Sequence, residues 1–148
     1  MSLAKIENIV VTGLNLLVPL LDCYNTTVEG ITIANSAYHS VSLSSGYHQD
    51  APDDLIRWVK IFTWRANGDG INPFSNGLVE DCFIRTQDDS TYVSGQGIRR
   101  VLYWQDCNGS TFVLSPLGGD SLNSHPLVVE DCTVLYARAK VREFAKCQ

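Results

Sequence analysis

The chain has 148 residues, 45% of them hydrophobic and 18% charged, with a formal net charge of −5. That length suits one domain with a real core, and the composition excludes a disordered chain. The acidic balance argues against a nucleic-acid partner, since nucleic-acid binders normally show a basic face.

The first apolar stretch, Ile9 to Leu21, is interrupted by Thr12, Gly13 and Asn15. It is too short and too broken for a membrane span, so no membrane partner is expected. Lys5 ahead of it suits a signal-peptide core, but Glu7 and Asn8 also precede it and no small-x-small cleavage site follows.

A repeat begins in the same region. Ile6-Glu7-Asn8-Ile9-Val10-Val11 is echoed by Val28-Glu29-Gly30-Ile31-Thr32-Ile33, by Val79-Glu80-Asp81-Cys82-Phe83-Ile84 and by Val129-Glu130-Asp131-Cys132-Thr133-Val134. The shared order is apolar, Glu, small polar, apolar, any, apolar. Weaker copies are read from Val59 and Val101, so the starts at 6, 28, 59, 79, 101 and 129 lie 22, 31, 20, 22 and 28 residues apart. Intervals near 20 that stretch by insertion suit a solenoid with loops on one side.

A second short strand is expected after each copy, at Val41-Ser42-Leu43, around Ile71, at Thr91-Tyr92-Val93 and at Thr111-Phe112-Val113-Leu114. Gly, Asn, Asp and Ser fill the gaps, which are too short and polar for helical crossovers. Residues 1–148 are therefore expected to form one all-β domain, a single-stranded parallel β-helix solenoid of about six coils. Equivalent residues then stack every ~4.8 Å. Ile9, Ile31, Cys82 and Cys132 form one interior ladder in this reading. In the fifth copy either Trp104 or Cys107 aligns with Cys82.

The stretch from Ser44 to Leu55 reads as a polar loop between coils that can wall a groove. His39, His48 and His125 are scattered and read as loop residues. The five cysteines contain no CxxC pair, which argues against a zinc ribbon. Cys82 and Cys132 read as small buried residues, with two coils between them against a mutual disulfide. The sequons at Asn25 and Asn108 point weakly to secretion.

One acidic cluster stands out. Asp69 lies in Trp64-Arg65-Ala66-Asn67-Gly68-Asp69-Gly70-Ile71, and Asp88 and Asp89 lie in Thr86-Gln87-Asp88-Asp89-Ser90-Thr91-Tyr92. Asp69 precedes Asp88 by 19 residues, close to one coil, so a solenoid brings all three carboxylates onto one patch. Like charges a few ångströms apart raise at least one pKa, and such strain is retained most readily where chemistry uses it. Glycoside hydrolysis does, with a protonated carboxyl for the leaving oxygen and an ionised one for water. Two other readings stay open: the aspartates as turn formers, or as oxygen ligands for a hard cation, although no EF-hand-like spacing is present. Arg65 and Arg85 can balance part of the charge. No cofactor motif and no metal site is expected.

Asn67-Gly68-Asp69-Gly70-Ile71, followed by Cys82-Phe83-Ile84-Arg85-Thr86-Gln87-Asp88-Asp89-Ser90, resembles the active-site core of the dextranase and isopullulanase family, glycoside hydrolase family 49. Trp104-Gln105-Asp106-Cys107-Asn108-Gly109 is similar to that family too. The resemblance implies a right-handed parallel β-helix, secretion, and inverting hydrolysis of an α-glucan polysaccharide. It makes Asp88 the general acid and gives Asp69 and Asp89 the activation of water. Pectinases share the aspartate pattern but carry a Gly-His-Gly motif about one coil later. Here Gly95-Gln96-Gly97 comes too early and lacks the His, which favours the dextranase side. The family's N-terminal β-sandwich has no counterpart, so the chain reads as the central piece of a member.

Trp64 and Tyr92 are candidate sugar platforms, and Asn67, Gln87 and Gln96 candidate hydroxyl partners. Phe74 and Trp104 are further aromatics near the cluster, with Trp104 read as core or groove wall. The tail from Tyr136 to Lys146 has near-helical apolar spacing. It reads either as a short capping helix or as another strand. Open solenoid ends expose strand edges and offer a route to a homo-oligomer.

Overall fold

The computed structural model describes residues 5–7, 10–12, 18–21, 26–44, 54–73, 77–93, 96–113 and 128–138. They are all-β, with no helix among the described residues. The strands are β1 (Lys5–Glu7), β2 (Val10–Thr12), β3 (Val18–Leu21), β4 (Thr27–Glu29), β5 (Thr32–Ala34), β6 (Val41–Ser44), β7 (Asp54–Arg57), β8 (Lys60–Phe62) and β9 (Ile71–Asn72). They continue as β10 (Gly77–Glu80), β11 (Phe83–Thr86), β12 (Thr91–Tyr92), β13 (Gly97–Arg99), β14 (Leu102–Gln105), β15 (Phe112–Val113), β16 (Val129–Glu130) and β17 (Thr133–Ala137).

Each strand pairs in parallel with the strand three places later, giving three parallel sheets. The first sheet runs β1-β4-β7-β10-β13-β16, the second β2-β5-β8-β11-β14-β17 and the third β3-β6-β9-β12-β15. The chain visits the sheets in rotation, one strand in each per pass. This order fits a β-helix or solenoid.

The strands are short and alternate residues point inward, where apolar side chains predominate and a few polar ones, Thr86 and Gln105 among them, are buried with them. Val28, Ile56, Val79 and Ile98 stack inside the first sheet, and Ile33, Ile61, Ile84 and Tyr103 inside the second. Val41 and Ile71 begin the column of the third. Each such side chain removed from water contributes about 1.5–3 kcal/mol. Tyr103 is accommodated because its hydroxyl donates to Thr91 Oγ1 at 3.1 Å and its ring meets Phe112 edge-on.

A sharp corner joins the first two strands of each pass from β4 onward. Its turning residue takes a left-handed backbone: Gly30 (φ 67°), Trp58 (53°), Asp81 (53°), Arg100 (52°) and Asp131 (53°). That conformation costs a residue with a Cβ roughly 1–2 kcal/mol. Contacts outside the corner offset it. Arg57 lies 4.2 Å over the Trp58 ring, and Arg100 donates to both oxygens of Asp81 and to Glu80 Oε2. The next residue of each corner points inward, forming a column of Ile31, Val59, Cys82, Val101 and Cys132. Ile9, expected in that ladder, lies outside the described residues.

Two expectations need correction. The weaker repeat copies begin at Ile56 and Ile98, not at Val59 and Val101, because Ile56 and Ile98 are in register with Val28, Val79 and Val129. The partner of Cys82 in the fifth copy is accordingly Val101, neither Trp104 nor Cys107, since Leu102 pairs with Phe83. Of the two readings of the tail, Tyr136 and Ala137 take the strand, as the end of β17, and the tail beyond residue 138 lies outside the described residues. Of the loop from Ser44 to Leu55, Asp54 and Leu55 begin β7, where buried Asp54 accepts the Thr26 amide at 2.7 Å. Residues 45–53, like Phe74, His48 and His125, lie outside the description.

Cys82 and Cys132 are free thiols, Cys82 buried and Cys132 half-buried, while Cys107 is disulfide-bonded. Burial pushes the Cys82 thiol up to about 12.

Candidate functional site

The three aspartates sit on the connections from the second sheet to the third. Ile71 is in register with both Val41 and Thr91, and Thr91 with Phe112. Two residues upstream on each pass, His39, Asp69, Asp89 and Ser110 therefore form one column. Backbone bonds fasten it: Ser40 N donates to Asp69 O at 2.8 Å, Gly70 N to Asp89 O at 2.8 Å and Ser90 N to Ser110 O at 2.8 Å.

Close approach of the passes requires glycine at two places. At Gly70 a Cβ would press into the Ser90 carbonyl and the Ile84 side chain. At Gly109 (φ 76°) a Cβ would meet the Asp89 amide nitrogen, Asp89 Oδ1 at 2.6 Å and the Asp88 carbonyl carbon at 2.7 Å. Beneath the connection lies a buried polar network. Thr86 Oγ1 and Ser90 Oγ are 2.6 Å apart, and Ser90 Oγ donates to Gln105 Oε1. Gln105 Nε2 then donates to the carbonyls of Asp88 (2.8 Å) and Asn108 (2.7 Å). A buried amide whose oxygen and nitrogen are both engaged fixes the loop that carries the double aspartate.

The carboxyls have different surroundings. Asp69 is only 5% exposed. Its Oδ2 accepts the Tyr92 hydroxyl at 2.7 Å and lies 3.4 Å from His39 Nε2. Tyr92 also reaches Asp89 Oδ2 at 3.4 Å, while Asp89 Oδ1 accepts the Ser110 amide at 2.7 Å. Burial raises Asp69 above the usual carboxylate range; Tyr92 and His39 oppose that rise, and the charges of Asp88 and Asp89 add to it. Burial raises Asp89 as well, against the Ser110 amide and with the help of Asp88. Burial and the two carboxylates push the Tyr92 phenol strongly upward, so Tyr92 acts as a donor. Asp88 is held differently. Its Oδ2 accepts the Asn67 amide and Asn108 Nδ2, each at 2.7 Å, and its Oδ1 accepts the Asp89 amide at 3.0 Å.

The structure thus brings Asp69, Asp88, Asp89, Asn67 and Tyr92 together. Asn67 contributes its backbone, in a left-handed conformation (φ 58°), and Tyr92 binds the carboxylates themselves. Trp64 is 50% exposed just after β8, on the same connection as Asp69. Gln87 Nε2 points to Cys107 Sγ at 3.6 Å. Gln96 is elsewhere: it precedes β13 in the first sheet, with its amide on Gly77 O at 3.3 Å. Arg85 is held by Asp106 at 3.0 Å, with the Trp104 ring 5.0 Å away. Trp104 is outside the core, its ring tilted against Tyr136 and its Nε1 donating to Asp106 Oδ1.

Sequence reasoning missed His39 and Asn108. His39 lies 30 residues before Asp69, and only knowledge of that pass's length exposes the register. Among the described residues, no group of three His, Cys, Asp or Glu side chains is arranged to hold a metal ion. Comparison of the chain with protein-family models, curated proteins and solved structures finds no match.

Proposed function

We propose that the chain is a right-handed parallel β-helix bearing an inverting glycoside hydrolase site of the dextranase and isopullulanase type. The observation that carries this reading is the in-register pair Asp69 and Asp89 sharing the Tyr92 hydroxyl, with Asp88 beside them. In this mechanism water attacks the anomeric carbon and gives its proton to the Asp69–Asp89 pair. Asp88 gives its proton to the departing glycosidic oxygen, and the configuration inverts. Burial makes Asp69 and Asp89 stronger bases than ordinary carboxylates, which suits general-base work nearer neutral pH.

Substrate class follows from the motif comparison. The aspartates that pectinases share come here without the Gly-His-Gly motif, so the substrate proposed is a neutral α-glucan of the dextran or pullulan type. Trp64 offers an exposed ring for a sugar face. The Cys107 disulfide fits an oxidising, extracellular setting. The experiment is reducing-sugar release from dextran and pullulan, with the product anomer read by NMR and Asp88→Asn as control. Equal rates for parent and variant would sink the role of Asp88, and a retained anomer would sink inversion.

A second reading has its own observation. Three donors face the Asp88 carboxylate, which suits a loop fastener better than a proton donor. The chain would then bind carbohydrate without turnover, or self-associate through its solenoid ends. Binding to immobilised dextran with no product release would favour it.

A further inference from the structure

We infer that His39 is a positioning residue for this site: packed between Tyr38 and Tyr92, it holds the Asp69 carboxylate in the orientation and charge state that water activation requires. The inference rests on the hydrolase reading for its catalytic part, and on geometry alone for the coupling of His39 to Asp69.

Register places His39 one pass before Asp69, as Asp89 lies one pass after it. Nε2 stands 3.4 Å from Asp69 Oδ2, the oxygen that also accepts the Tyr92 hydroxyl. The imidazole is clamped rather than loose. The Tyr38 ring stacks on it at 4.3 Å and 17°, and the Tyr92 ring lies nearly parallel at 6.0 Å and 18°. Its side chain is only 18% exposed, whereas Tyr38 is 54% exposed and shields it from solvent.

Tyr92 has one proton and faces two carboxylates, at 2.7 Å and 3.4 Å. It serves Asp69, and a single donor on a buried carboxylate leaves burial to dominate. The His39 imidazole beside it supports the ionised form. Among the described residues, the groups facing the imidazole are Asp69 at its nitrogen, Asp89 beyond it, and the two phenol rings. No other cation among the described residues contributes to the balance at Asp69 or Asp89. Without His39, Asp69 stays protonated to higher pH, so the acid limb of the rate profile moves up while substrate binding is unchanged.

The test has two arms. In the first, imidazole resonances are recorded by NMR in the parent and in Asp69→Asn, with His39→Gln identifying the His39 signal among the three histidines. Loss of the neighbouring carboxylate displaces the His39 resonance. An unchanged His39 resonance in Asp69→Asn overturns the inference, whether or not the chain is a hydrolase. In the second arm, dextran hydrolysis by His39→Gln is followed from pH 4 to pH 8. The acid limb is expected to move up with KM unchanged. A uniform loss of kcat with no displacement of the limb assigns His39 a merely structural part and overturns the inference. Absence of hydrolysis in the parent removes the hydrolase reading, and the first arm still decides the coupling.

Discussion

Replacing Gly109 by Ala tests whether the passes approach as closely as the site demands. The new Cβ falls 2.6 Å from Asp89 Oδ1 and 2.7 Å from the Asp88 carbonyl carbon, where ordinary contact begins near 3.4 Å. Its neighbours are mostly backbone, fixed by hydrogen bonds to Gly70 and Gln105, so they cannot swing aside. The left-handed backbone at Gly109 adds roughly 1–2 kcal/mol, and relieving the clash adds about as much again. We expect a total loss of about 2–4 kcal/mol in urea unfolding. Gly30→Ala is the matched control, since Gly30 is also left-handed (φ 67°) but exposed, at a corner where other passes carry Trp, Asp and Arg. It should lose only about 1–2 kcal/mol. The same displacement moves the double aspartate by about 1 Å, which on the proposed hydrolase reading lowers hydrolysis on the order of 100-fold. Equal stability of the two variants, together with full activity in Gly109→Ala, would refute the reasoning.

Other outcomes follow from the same geometry. Asp69→Asn should stabilise the chain at pH 7 and, on the proposed hydrolase reading, abolish hydrolysis. Burial raises Asp69 above 3.8, so its penalty is absent below that pH and grows as pH rises toward the folded value. The stabilisation should therefore vanish in melts at pH 3, and an equal gain at pH 3 and pH 7 would contradict it. Gln105→Leu leaves two carbonyls and two hydroxyls of the buried network short of a partner. It should cost about 2–4 kcal/mol by chemical denaturation. A thiol reagent should modify Cys132 well before Cys82, whose burial suppresses the thiolate. Cys82 labelling at the rate of an unfolded control would count against the buried column.

Some of this was legible in sequence, and the failures have physical causes. The four strong repeat copies lie in true register because their third residue is Gly, Asn or Asp, which tolerates or suits a tight corner. At Trp58 and Arg100 the same corner is held by stacking and ion pairing, so a search for a small polar residue slid three positions. The convergence of Asp69 with Asp88 and Asp89 followed from the repeat length. Two things did not: which oxygen meets which donor, and the presence of His39. The pass from Val28 to Ile56 is longer than its neighbours, and the extra residues hid the alignment. Trp104 illustrates the opposite error, since its neighbour Tyr103 takes the interior place and alternation turns Trp104 outward.

The left-handed corner has a use beyond folding. Gly30, Trp58, Asp81, Arg100 and Asp131 occupy equivalent points on successive passes and differ in size and charge. The sheets hold these points at the fixed strand pitch of ~4.8 Å whatever side chain each carries. The edge is thus a molecular ruler with interchangeable marks, onto which a regular row of charges or rings could be grafted to match a ligand of the same period.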